Sequence, residues 1–139
     1  MTVKSFTRKA DSRGDAHVID ITPEVMRCVA EAGVSNGTAT VFVPGSTAGL
    51  TTIEYEPGVV EDVRACFDRL APVQLDYAHE RAWHDGNGHS HVRAALLGPS
   101  LALPIASGQP MLGTWQQVVL VDFDNKPRQR TYSVTVMGE

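Results

Sequence analysis

The stretch Thr114 to Phe123, with Val118-Val-Leu-Val121 at its centre, constrains this chain most. β-Branched and apolar residues at this density favour the pleated backbone of a strand. Asp124-Asn-Lys-Pro127 supplies turn residues, and Arg130 to Met137 resumes the extended pattern, so the spacing predicts a hairpin of two long strands. Gly37-Thr-Ala-Thr-Val-Phe-Val43 reads as a third strong strand, and Leu50 to Tyr55 as a fourth. Thr2–Lys9, Ala16–Ile21 and the proline-bearing Ser100–Ile105 are weaker strands, the last an edge or irregular strand.

Two amphipathic helices interrupt this pattern. Thr22-Pro-Glu24 is a helix start, with Val25, Met26, Val29 and Ala30 at helical spacing and Gly33 at the stop. A second helix runs from about Val59 to Leu70, and a short third covers His91–Leu97 before Gly98-Pro99. About seven mostly antiparallel strands with two to three helices give an α+β fold, one domain spanning residues 1–139.

Composition narrows the function classes. Sixteen acidic residues against 12 basic give a net charge of −4, and no basic block is present, which argues against nucleic acid or an anionic membrane as partner. No apolar run approaches a membrane span and the N-terminus lacks a signal-like core, so a cytoplasmic location is expected. Cys28 and Cys66 lie among apolar neighbours without C-x-x-C spacing and read as buried free thiols.

Four of the five histidines fall between residues 79 and 91: His79, His84, His89 and His91, with Asp85 and Asn87 between them. Neutral imidazole is a ready ligand for divalent first-row metals. His89 and His91 reach one ion together if the backbone there is extended or forms the N-terminal cap of the helix; within a helix they diverge. His79 would complete a three-ligand set, and His84 is either a fourth ligand or a surface residue. The alternative is a loop of capping or exposed histidines. His17, alone in a strand, reads as structural.

Asp85-Gly-Asn-Gly88 permits a tight turn, and within the histidine cluster Asp85 and Asn87 are candidate catalytic groups, Asp85 as base or as orienter of an imidazole. Pro44-Gly-Ser-Thr47 places Ser46 and Thr47 where hydroxyls and N–H groups could hold an oxyanion, or simply forms a bend. Thr51 extends that set, and Glu54 is a further candidate acid or base. Arg93 could grip a phosphate, or be an exposed helix charge. Arg128 and Arg130, in the predicted hairpin turn, are expected to be solvated.

Pro44–Pro57, Asp85–Gly98 and Gly113–Leu120 together resemble the YjbQ family, also called UPF0047, in the same order and at similar spacing along the whole chain. The resemblance implies a β-sandwich with helices on one side, assembled as a homotrimer with the pocket near a subunit boundary. It adds Thr114 and Gln116 to the expected substrate-binding set. Many members carry a histidine where this chain has Gly45 and lack one at the place of His89, which implies that His89 replaces that ligand here. Some members are described as secondary thiamine-phosphate synthases, which couple a pyrimidine diphosphate to a thiazole phosphate. The functional expectation is a metal-dependent enzyme acting on a small phosphorylated metabolite, with zinc on His79, His89 and His91, or magnesium if the substrate is a diphosphate. The competing expectation is a non-catalytic trimeric metal- or metabolite-binding protein.

Overall fold

The computed structural model describes residues 1–139. Its elements run β1 (Thr2–Ser12), β2 (His17–Asp20), α1 (Thr22–Ala32), β3 (Gly37–Phe42), β4 (Ala48–Ile53), α2 (Pro57–Leu70), α3 (Ala78–Trp83), α4 (Gly88–Leu97), β5 (Ser100–Ala106), β6 (Gln109–Pro110), β7 (Gln117–Asp122) and β8 (Arg128–Gly138). Every strand pairing is antiparallel. A five-stranded sheet has the order β1-β8-β3-β5-β6 and a three-stranded sheet the order β2-β7-β4, so the α+β sandwich expectation holds, with four helices.

Strand β7 explains its own composition. Val118 and Leu120 belong to the larger core, with Val25, Val29, Val41 and Val134. Val119 and Val121 belong to a second core with Phe67 of α2 and Ala94 of α4. Alternate side chains of a strand point to opposite faces, so a strand covered on both sides must be apolar at every position. The three-stranded sheet is therefore a middle layer, with the five-stranded sheet on one face and α2 and α4 on the other.

The expected hairpin does not form. β7 pairs with β2 and β4, whereas β8 pairs with β1 and β3. Residues 123–127 carry the chain from one sheet to the other, a corner rather than a turn between partners. Thr114–Gln116 also lie outside β7, because the extended pattern begins only at Gln117. Ser100–Ile105 is not an edge: β5 lies between β3 and the two-residue β6.

Local signals set the helix ends. Pro23 occupies the first turn of α1, and Gly33 closes it with φ 70°, its N–H donating to the Ala30 carbonyl. The Glu56 carboxylate caps α2, accepting from the N–H groups of Gly58 at 2.9 Å and Val59 at 2.5 Å. The histidine segment is more helical than its composition suggests. Residues 78–83 form α3 where a loop is expected, and α4 starts at Gly88, three residues before the expected His91.

Candidate functional site

The loop between α3 and α4 is held by one carboxylate. Glu80 accepts from the N–H groups of Gly86 at 2.6 Å and Gly88 at 2.8 Å. Gly86 has φ 73°, and a Cβ on Gly88 would lie 2.5 Å from Tyr77 Cβ. Both glycines of Asp85-Gly-Asn-Gly88 are thus required by backbone shape and by a close approach.

This loop brings His79, Asp85 and Asn87 together. His79 Nε2 lies 3.1 Å from Asp85 Oδ1 and 3.0 Å from Asn87 Oδ1. The Asn87 amide has two orientations on the same atoms. When its Nδ2 donates to Asp124 Oδ1 at 3.4 Å, its Oδ1 faces Asp85 and His79. Turned over, its nitrogen donates to Asp85 Oδ1 at 2.8 Å and to His79 Nε2 at 3.0 Å, and its oxygen then faces the Asp124 carboxylate. Only the turned-over orientation satisfies both ends of the amide, so Asn87 is a hydrogen-bond donor that ties Asp85 to His79. His79, Glu80 and Asp85 each bring one ligand atom to the same spot, all within 4.8 Å of one another, which makes them the metal-sized group of this loop. His91 stacks beside His79, with ring centroids 4.4 Å apart.

His89 does not join them. Both His89 and His91 lie inside α4, and residues two apart on a helix point about 200° apart. His89 is only 4% exposed, with Nε2 3.4 Å from Ser90 Oγ and its ring near Tyr77. Burial, then the charge of Arg93, holds its imidazole below the usual range. The structure therefore does not gather the expected triad of His79, His89 and His91; the group it brings together is His79, Glu80 and Asp85, with His91 beside His79. His84, at the left-handed C-cap of α3, stays exposed outside this group.

The Pro44-Gly-Ser-Thr47 loop does approach. Gly45, Ser46 and Ala48 line a cavity of about 260 Å³ together with His91 and Ala94. Ser46 is exposed and available. Thr47 is not: its buried hydroxyl donates to Asp124 at 3.2 Å and accepts from Arg130 Nη2 at 2.7 Å. Arg130, expected in solvent, is 6% exposed and grips Asp122 through Nε at 2.9 Å and Nη2 at 2.8 Å. Arg128 pairs with Asp124 at 2.6 Å. Burial pushes the Asp124 carboxyl up, but donation from Asn125 N–H, Asn87 and Thr47, with the Arg128 charge, holds it below the usual carboxylate range. A buried ionic network thus underlies the site and reaches Asn87 through Asp124.

Three more expectations change. Arg93 is 3% exposed and its guanidinium is occupied by the Ala71 carbonyl (2.9 Å) and Asp68 (3.0 Å), so it is neither the exposed helix charge nor a free phosphate grip. Glu54, Thr114 and Gln116 gather instead at the far end of β4, where Gln116 Nε2 donates to Thr52 at 3.0 Å. Ala48 pairs with Asp122 and Ile53 with Gln117, so the length of β4, about 17 Å, separates the two groups within one chain. Thr51 lies half-buried in the middle of β4 without a side-chain hydrogen bond.

Sequence reading missed Asp122, Asp124, Arg130 and Glu80. Asp122-Phe-Asp124 did carry a signal, since carboxylates end an otherwise unbroken apolar strand.

Residues 7–139 match the family model described as UPF0047 protein YjbQ-like. Among similar proteins, UPF0047 protein YugU of Bacillus subtilis is 36% identical over 98% of this chain and 99% of its own length. A UPF0047 protein of Methanocaldococcus jannaschii is 34% identical over 88% and 86%. A crystal structure of a YjbQ/UPF0047 protein of Clostridium acetobutylicum superposes with a TM-score of 0.87 at 37% identity, over 95% of this chain and 99% of that one. A YjbQ-like protein of unknown function from Sulfolobus solfataricus gives 0.89 at 29% identity, over 99% of both.

Proposed function

We propose that this chain, which belongs to the YjbQ-like UPF0047 family, is a metal-dependent enzyme acting on a small phosphorylated metabolite. The observation that carries the reading is the convergence of His79, Glu80 and Asp85, whose ligand atoms all lie within 4.8 Å of one another. One imidazole with two oxygen donors fits zinc, and magnesium is the alternative with a diphosphate substrate. Three protein ligands leave coordination positions open, the pattern of catalytic rather than structural sites. A bound divalent ion would polarise a phosphate oxygen or acidify a water.

The protein side chains have distinct work in this reading. Asn87 steadies Asp85 and His79 through its amide nitrogen, and Glu80 also fixes the loop that carries Asp85. Ser46 offers its hydroxyl to the anionic end of the substrate in the cavity it shares with His91. Thiamine-phosphate synthase activity is one reaction of this class, because neutralising a leaving pyrophosphate is its main demand. We further place the working form as a homotrimer, in which a neighbouring chain brings Glu54, Thr114 and Gln116 toward the histidines. Trp83 and Trp115, 73% and 72% exposed, support such a contact, since monomers seldom leave large apolar side chains uncovered in patches.

The test is metal analysis of purified protein together with a screen of phosphorylated metabolites by 31P NMR. Stoichiometric zinc or manganese, lost in His79→Ala, supports the reading. Metal-free protein that consumes nothing in the screen overturns it. Stoichiometric metal without turnover would favour a non-catalytic trimeric metal-binding role.

A further inference from the structure

A second cavity, of about 360 Å³, opens on the opposite side of the 13–17 loop, lined by Arg13, Gly14, Asp15, His17, Tyr55 and Arg64 among others. Its cations are uncommitted. In a chain with net charge −4, neither Arg13 nor Arg64 forms an ion pair with any carboxylate. Arg64 makes one long bond, from Nη2 to the Asp15 carbonyl at 3.3 Å. The Arg13 side chain makes no hydrogen bond at all, and only its backbone N–H is used. The Asp15 carboxylate also lies on the wall but stays more than 4.0 Å from both guanidiniums.

His17 adds a directed donor. Its Nδ1 accepts the Arg13 N–H at 3.0 Å, which fixes the neutral tautomer with hydrogen on Nε2. Nε2 has no protein partner. The imidazole is held below the usual range by burial first and then by the Arg13 charge, with Asp122 opposing and Arg64 adding to it.

The wall is also rigidly shaped. Gly14, Asp15 and Ala16 all have positive φ (76°, 52° and 62°), an uncommon conformation for the latter two. The Asp15 N–H donates to the Asp124 carbonyl at 2.7 Å, and a Cβ on Gly14 would meet the Lys126 carbonyl oxygen at 2.6 Å. The loop is thereby pinned to the same corner that supports Asn87.

We propose that this cavity binds a phosphate group, as inorganic phosphate or as the head of a small phosphate ester, between the Arg13 and Arg64 guanidiniums with the His17 Nε2–H as a third donor. Two forked guanidiniums and a neutral N–H donor match the several oxygens and double charge of a phosphate better than a single carboxylate. The inference does not depend on the metal reading, since the cavity shares no side chain with His79, Asp85, Asn87 or His91.

Isothermal titration with inorganic phosphate, alongside 15N NMR of the His17 ring, tests this. Saturable binding that shifts the His17 Nε2 resonance is expected. Affinity at the site that shifts His17 should fall tenfold or more in Arg64→Gln and vanish in the Arg13→Gln/Arg64→Gln pair, and Arg27→Gln, an exposed arginine of α1 that lines neither cavity, should leave it unchanged. The exposed Arg13 side chain makes no hydrogen bond or ion pair, so Arg13→Gln alone tests the idea with little demand on the fold, with an expected loss of severalfold. Tighter binding of glycerol 3-phosphate would assign an ester, and equal binding would assign free phosphate. Phosphate affinity unaltered in the double variant, affinity lost only in His91→Ala, or no binding to the wild-type chain would each overturn the proposal.

Discussion

Arg130 holds Asp122 through two hydrogen bonds of 2.9 and 2.8 Å, with Asp122 fully buried and Arg130 nearly so. The pair spans the corner where the chain leaves one sheet for the other, since Asp122 ends β7 and Arg130 lies in β8. Arg130 also reaches Thr47, so the same guanidinium ties the Ser46 loop to the corner.

Arg130→Gln should therefore destabilise the fold by about 3–5 kcal/mol, because it leaves a buried carboxylate without its partner. Lysine should rescue little, since it cannot supply the fork. Urea denaturation of the two variants measures both statements; a change below about 1 kcal/mol would mean that water enters the corner and solvates Asp122.

Thr47→Val removes a hydroxyl that both donates to Asp124 and accepts from Arg130. Stability should fall by about 1–3 kcal/mol as two buried charged groups lose a partner. Affinity for a phosphate ligand in the His91 cavity should remain, whereas Ser46→Ala should weaken it. Paired denaturation and titration of the two variants separate the roles.

Metal uptake should depend on His79, Glu80 and Asp85, with Asn87 steadying them. His79→Ala and Asp85→Asn should each lower bound metal at least tenfold, and Asn87→Ala should do so partially. His89→Ala should keep its metal and instead lose stability, since it empties a buried position. Elemental analysis after dialysis reads the contrast; metal lost in His89→Ala alone would restore the triad expected from sequence.

Acid should destabilise the fold partly through His17. Its folded pKa lies below the ordinary 6.5, so below about pH 6.5 the unfolded chain binds a proton that the folded chain resists. Stability contributed by the neutral imidazole is present above that pH and declines as pH falls toward the folded value. His17→Gln keeps an acceptor for the Arg13 N–H and cannot protonate. The urea midpoint of this variant should gain on the wild type steadily from pH 7 to pH 5, and parallel curves would remove His17 from the account.

Sequence alone determined the elements whose causes are local. Pro23 and Gly33 bound α1, Glu56 and Pro57 start α2, and the β-branched runs make β3, β7 and β8. Motifs quoted together identified the family, and the density of histidine with Asp85 and Asn87 located the candidate site. Tertiary structure decided which of those histidines meet. The helix at Gly88 separates His89 from His91 by half a turn, while packing against Tyr77 and Glu80 folds His79 back onto Asp85. It also decided that β7 and β8 belong to different sheets, because an apolar strand followed by a turn and another strand is equally compatible with a hairpin and with a corner. The deciding contacts, Asp122 with Arg130 and Asp124 with Thr47 and Asn87, join residues up to 77 positions apart. Such pairings are set by how the layers stack, so local pattern carries the residues but not their partners.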